Sequence, residues 1–93
     1  MAERPLVFIT GASSGIGRAL AGRYQRAGWR LALVGRRESE MKTWGEAQGI
    51  SADSYAIYGA DVTRPESIIA AAEACMARQG LPEVVIANAG ISI

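Results

Sequence analysis

The sequence predicts an α/β fold with a parallel, doubly wound sheet. Two observations carry this. Short β-branched or continuously apolar runs alternate with longer segments of helical periodicity, in the order β-α-β-α-β-α-β. The first apolar run, Leu6–Ile9, leads through Thr10 into a turn bearing Gly11, Gly15 and Gly17, and a helical pattern starts at about Ile16. Such a strand, glycine turn and helix N-terminus leaves backbone N–H groups unpaired at the positive end of a helix dipole, a natural seat for an anion.

Residues 6–10 read as a strand covered on both faces, because no polar alternation interrupts them. The first helix is expected over 15–27, with Ile16, Leu20 and Tyr24 as its apolar stripe and Gly28 as its stop. Gly22 inside it costs about 1 kcal/mol against Ala and suggests close packing on the sheet. Strand two is Trp29–Gly35, with Leu31, Leu33 and Val34 in the core. After the polar turn Arg36-Arg37-Glu38, a second helix is expected over 39–48, with Met41, Trp44 and Ala47 inward and Gly45 weakening it. Strand three is Ser54–Tyr58.

Thr63-Arg64-Pro65-Glu66 reads as a capping box, with Thr63 as N-cap and Pro65 in the first turn. Ile68, Ala72, Cys75 and Met76 form the inward stripe of this third helix, which should stop at Gly80. Glu83–Ala87 is strand four, followed by Asn88-Ala89-Gly90. Right-handed crossovers then give the sheet order 3-2-1-4, with a switch point between strands one and four. Gly11, Arg36, Asp61 and Asn88 all fall at carboxyl ends of strands, where ligands bind in such sheets.

Composition narrows the function. The 93 residues suffice for one small domain, and a hydrophobic content of 49% argues against disorder. A net charge of +1 gives no case for nucleic acid or an anionic membrane surface. Cys75 stands alone and there is no His, so no disulfide or His/Cys metal site is expected. No apolar run approaches the length of a bilayer span, and MAERPL lacks a signal-peptide pattern, so a cytoplasmic protein is expected.

TGASSGIG, residues 10–17, has the spacing Gly-x-x-x-Gly-x-Gly. It is neither the general dinucleotide fingerprint nor a P-loop, since Ile16 stands where a P-loop needs Gly and no Lys follows. Together with Asn88-Ala89-Gly90 after strand four, it resembles the cofactor motifs of the short-chain dehydrogenase/reductase family, whose fold is Rossmann-like. The resemblance spans nearly the whole chain but only the cofactor-binding half of the family's domain. It implies cofactor contacts at Gly11, Ser13, Ser14, Gly15, Ile16 and Gly17, at Asp61 and Val62 beside the adenine, and at Asn88, Ala89 and Gly90. In the family the Asn supports the central sheet, and the Ala-Gly backbone lies against the ribose. Ala87 stands where the family usually has another Asn. For Asp61 a plain loop acid is an equal reading. The Gly-x-x-Gly-x-x-Gly of the family's epimerase and dehydratase branch is absent.

Folds of this type that bind NAD place an acid on the ribose 2′-hydroxyl at the end of strand two. Gly35-Arg36-Arg37 occupies that place. Arginine offers a planar fork to phosphate oxygens, and one charge-assisted hydrogen bond of roughly 1.5–3 kcal/mol favours a 2′-phosphate about tenfold to a hundredfold. The expected cofactor is therefore NADP(H); the family resemblance implies that Arg36, the first basic residue after the strand, meets the phosphate, with Arg37 secondary.

The family's catalytic Tyr-x-x-x-Lys and Ser cannot be placed. Lys42 is the lone lysine, with Glu38 four residues before it, and Tyr24, Tyr55 and Tyr58 are followed four residues on by Gly28, Gly59 and Val62. The reading is an NADP-dependent oxidoreductase acting on a small-molecule carbonyl or alcohol, present as its nucleotide-binding fragment, inactive alone and a homo-oligomer when complete. The alternative is a non-catalytic dinucleotide-binding module that senses redox state or nucleotide. Truncation here is expected to leave strand four as an open apolar edge.

Overall fold

The computed structural model describes residues 4–88. It has the predicted succession: β1 (Leu6–Thr10), α1 (Gly15–Arg26), β2 (Arg30–Gly35), α2 (Glu38–Ala47), a 3₁₀ turn (Ala52–Ser54), β3 (Tyr55–Gly59), α3 (Pro65–Arg78) and β4 (Val84–Ala87). The four strands form one parallel sheet in the order β3-β2-β1-β4. Val7 lies between Leu31 and Val84, which fixes the register at the centre.

The period of two along each strand sorts the core into two layers. Leu6, Phe8, Ala32 and Val34 face α3, where Ala71 and Cys75 meet them. Val7, Ile9, Leu31 and Leu33 face the opposite way, against Ala21 of α1 and Met41 of α2. Every residue of β1 is buried, as a strand with helices on both sides requires. Each helix ends just before a glycine with positive φ, namely Gly28, Gly49 and Gly80.

Several helix faces differ from the periodic reading. Ile16 is 69% exposed, and the residues of α1 that turn to the core are Gly17 and Ala21, with Leu20 and Tyr24 half-buried beside them. Small residues let the helix axis lie close to the sheet, a contact that apolar periodicity alone undervalues. Gly22 does not owe its place to the sheet, because a Cβ there would meet Arg26 and Trp44. Met76 is exposed on α3, whose inward positions are Ala71 and Cys75 with Ile68 and Ala72 beside them. Ala47 is exposed at the end of α2.

Gly45 has a packing reason. A Cβ there would lie 2.6 Å from the Tyr55 ring, so α2 can settle on β3 only without one.

The start of α3 corrects the capping box. The N-cap is Arg64, not Thr63, and no side chain caps it. Thr63 turns back instead, donating from its N–H (3.0 Å) and hydroxyl (2.7 Å) to Asp61 Oδ1. Glu66 pairs with Arg64 across 3.0 Å rather than reaching for a backbone N–H. Ser67 Oγ accepts from the Asp61 N–H at 2.9 Å, so the loop is folded onto the first turn by Asp61 and Ser67.

At the far end of the sheet, Gln79 ties α3 down. Its Nε2 donates to Leu31 O (3.0 Å) and its Oε1 accepts from the Tyr58 hydroxyl (2.9 Å). Among the described residues β3 and β4 are the outer strands, and Val85 is 62% exposed on β4.

Candidate cofactor-binding site

The carboxyl ends of β1, β2 and β3 open onto a cleft of about 300 Å³, lined by Gly11, Ser13, Ser14, Gly35, Arg36, Arg37, Ala60 and Val62. Six of these are among the residues singled out from sequence; Gly35 and Ala60 are additions. They are the residues at which strands two and three leave the sheet, and the Ala60 N–H donates to Gly35 O at 2.9 Å. Their position at strand ends was the available signal.

The turn itself is built from side chains and backbone together. Gly11 has φ +67°. Any Cβ there would run into the Asn88 carbonyl, so both the conformation and the space require glycine. Gly17 is buried under the turn, and a Cβ on it would collide with Gly11 O. Gly15 is different: nothing lies within 4 Å of where its Cβ would stand. The fold itself has no need of glycine at that position.

Ser14 is the N-cap of α1. Its Oγ accepts from the Gly17 N–H (3.0 Å) and from Asn88 Nδ2 (3.0 Å), while its proton goes to Gly11 O (2.9 Å). Its hydroxyl is thus committed to holding the turn. Asn88 Nδ2 also donates to Gly11 O at 3.3 Å. The Asn88 side chain therefore clasps the glycine turn from the end of β4. The N–H groups of Gly15 and Ile16 have no acceptor among the described residues and remain at the helix start. That is the donor set a pyrophosphate fits.

Across the cleft, Arg36 is exposed and has no carboxylate in ion-pair range among the described residues. Arg37 Nη1 lies 3.4 Å from Glu40 Oε2, and Arg18 Nη2 lies 3.2 Å from Glu40 Oε1. Two hydrogen bonds from Thr63 hold the Asp61 carboxyl below its ordinary range, with the Arg36 and Arg64 guanidinium groups adding to the effect. That carboxylate shapes the loop before α3, and Val62 beside it lines the cleft. Ala89 and Gly90 lie outside the described residues.

No group of three or more His, Cys, Asp or Glu that could hold a metal occurs among the described residues. No described helix is long and apolar enough to cross a membrane. The three tyrosines serve packing: Tyr58 is buried, and Tyr24 and Tyr55 are half-buried beside the core.

Comparison with known proteins agrees with this geometry. The 11-beta-hydroxysteroid dehydrogenase A of Sesamum indicum is 37% identical over 87 residues, which is 92% of this chain and 25% of that protein. An alcohol dehydrogenase of the archaeon Thermococcus sibiricus, complexed with 5-hydroxy-NADP, superposes with a TM-score of 0.77 at 31% identity, over 89% of this chain and 36% of its own. The 3-ketoacyl-(acyl-carrier-protein) reductase of Brucella melitensis, complexed with NADH, gives a TM-score of 0.77 at 25% identity over 89% and 33%. The chain thus spans about a quarter to a third of the length of these proteins. Structural neighbours of this chain bind nicotinamide dinucleotides of both kinds. The model of the short chain dehydrogenase family matches residues 5–93, covering the glycine turn, the arginine pair and the Asn88 clasp, and the chain belongs to that family.

Proposed function

We propose that residues 1–93 form one incomplete domain, the nucleotide-binding half of an NADP-dependent oxidoreductase. The parent protein passes hydride between NADP(H) and a carbonyl or alcohol carbon of a small molecule. The nicotinamide supplies the hydride chemistry when bound, and the protein supplies binding and orientation. In this reading the amides at Gly15 and Ile16 hold the pyrophosphate, with Gly11 and Gly17 shaping the turn and Ser13 facing the cleft. Ser14 and Asn88 lock the turn, Asp61 and Val62 border the adenine, and the backbone at Ala89 and Gly90 meets the ribose. The catalytic Tyr, Lys and Ser lie in the remainder of the parent protein, which acts in the cytoplasm as a homo-oligomer.

One observation carries the choice of NADP. Arg36 stands at the end of β2 with no carboxylate in ion-pair range among the described residues, in the cleft shared with Ser13 and the glycine turn, where an acid in its place would repel a 2′-phosphate. The neighbours named above include both an NADP-type and an NADH complex, so the arginine rather than the family favours NADP. No observation favours the sensor module.

Titration of the wild type and Arg36→Ala with NADPH and NADH tests this. The wild type should bind NADPH about tenfold to a hundredfold more tightly, as one charge-assisted hydrogen bond provides, and Arg36→Ala should bring the two close to equal. Equal affinities in the wild type would overturn the assignment.

A further inference from the structure

Glu40 lies at the centre of a three-residue charge network, in the first turn of α2. Its two carboxylate oxygens are divided between Arg18 of α1 (3.2 Å) and Arg37 at the N-cap of α2 (3.4 Å). Arg37 lines the strand-end cleft, while Arg18 and Glu40 line a neighbouring depression of about 410 Å³ between the two helices. The Arg37–Glu40 pair therefore joins the two. Arg18 Nε is buried with no hydrogen-bond partner among the described residues, and its Nη2 pairs with Glu40.

We propose that Glu40 sets the strength of 2′-phosphate recognition by holding Arg37 back from the cleft. The proposal rests on the NADP reading above. With Glu40 in place, the two arginines at the end of β2 are not equivalent. Arg36 has no ion-pair contact among the described residues, whereas Arg37 must first leave a carboxylate. That carboxylate also repels a dianionic phosphate approaching the same guanidinium. Removing its charge releases Arg37 and leaves more positive character at the cleft. Because the pairs are part-exposed, with side chains 40% (Arg18), 44% (Glu40) and 69% (Arg37) accessible, the effect is bounded. An exposed ion pair shifts an equilibrium by about fivefold at most. Glu40 is thus a positioning residue: it lines the depression between the helices and acts on the ligand through Arg37.

The test uses 2′,5′-ADP and 5′-AMP as probes, which differ by the phosphate in question. Glu40→Gln should tighten 2′,5′-ADP about threefold to fivefold and leave 5′-AMP within about twofold. The gain should shrink as salt rises. In an Arg37→Ala background the same substitution should change 2′,5′-ADP binding less than about twofold. A structural role for Glu40 would move both probes together, and that result would overturn the proposal, as would a full gain persisting without Arg37. If Glu40→Gln leaves 2′,5′-ADP unchanged while Arg36→Ala still weakens it, the proposal fails and the NADP reading stands. If the wild type does not distinguish the probes and Arg36→Ala changes nothing, the NADP reading fails and takes this inference with it. Far-ultraviolet circular dichroism of each variant verifies that the fold is intact.

Discussion

Gly11 and Gly15 are four residues apart in one motif, yet the fold requires only the first. Gly11 has a positive φ and its missing Cβ is replaced by the Asn88 carbonyl, whereas the space at Gly15 is open. Gly11→Ala should therefore destabilise the protein by about 2–5 kcal/mol, combining the left-handed backbone cost with steric overlap, and urea denaturation would measure it. Gly15→Ala should leave the melting temperature unchanged or slightly raised, because alanine costs the unfolded chain some freedom and suits a helix start. Nucleotide binding should still weaken in Gly15→Ala, as read by fluorescence titration, since the new methyl group stands where only a ligand would come. A melting temperature lowered as much as in Gly11→Ala would show that the open space does not describe this position. The glycine spacing was legible in the sequence; the division of labour between the glycines was not, because it depends on Asn88, 77 residues away.

Helix α2 is the element where intrinsic propensity and packing disagree. Gly45 weakens the isolated helix by about 1 kcal/mol relative to Ala, so the substitution should help if the helix stood alone. In the fold the Tyr55 ring fills the place of the missing Cβ at 2.6 Å. Gly45→Ala should therefore destabilise by about 1–3 kcal/mol as α2 is pushed off β3. Pairing it with Tyr55→Ala should leave less total loss than the sum of the two single changes, a non-additivity that a double-mutant cycle would read. The same interplay explains the start of α3. Thr63 and Glu66 have capping-box spacing, but the Asp61 carboxylate takes both Thr63 donors and Arg64 takes Glu66, so the helix begins one residue later.

Across the molecule, the layer beneath α3 contains two titratable groups held neutral. Burial raises the Tyr58 phenol to about 12, aided by the adjacent Cys75, and burial also raises the Cys75 thiol. Both resist ionisation more when folded than when unfolded. Their contribution is fully present below the unfolded values, near 10 for the phenol and 9.0 for the thiol, and is lost as pH rises through the folded ones. Stability should thus be flat between pH 7 and about 9 and fall between about 10 and 12, followed by denaturant midpoints. Tyr58→Phe should flatten that fall while lowering stability at neutral pH through loss of the hydrogen bond to Gln79. An equally steep alkaline fall in Tyr58→Phe would rule out the phenol as its source.

The sequence alone determined the alternation of strands and helices, the sheet order and the strand ends at which the cleft opens. These follow from periodicity, glycine and proline punctuation and the handedness of crossovers, all of which act over a few residues or on every such chain. Element boundaries came within about a residue for the same reason. Tertiary structure decided which face each helix buries and which charges pair. Ile16 and Met76 are exposed while Gly17, Ala21, Ala71 and Cys75 turn inward, and Arg37 is held by Glu40 while Arg36 is not. It also placed the Asn88 amide on Ser14 and Gly11. Such contacts join groups far apart along the chain, and their distances exist only once the sheet has formed.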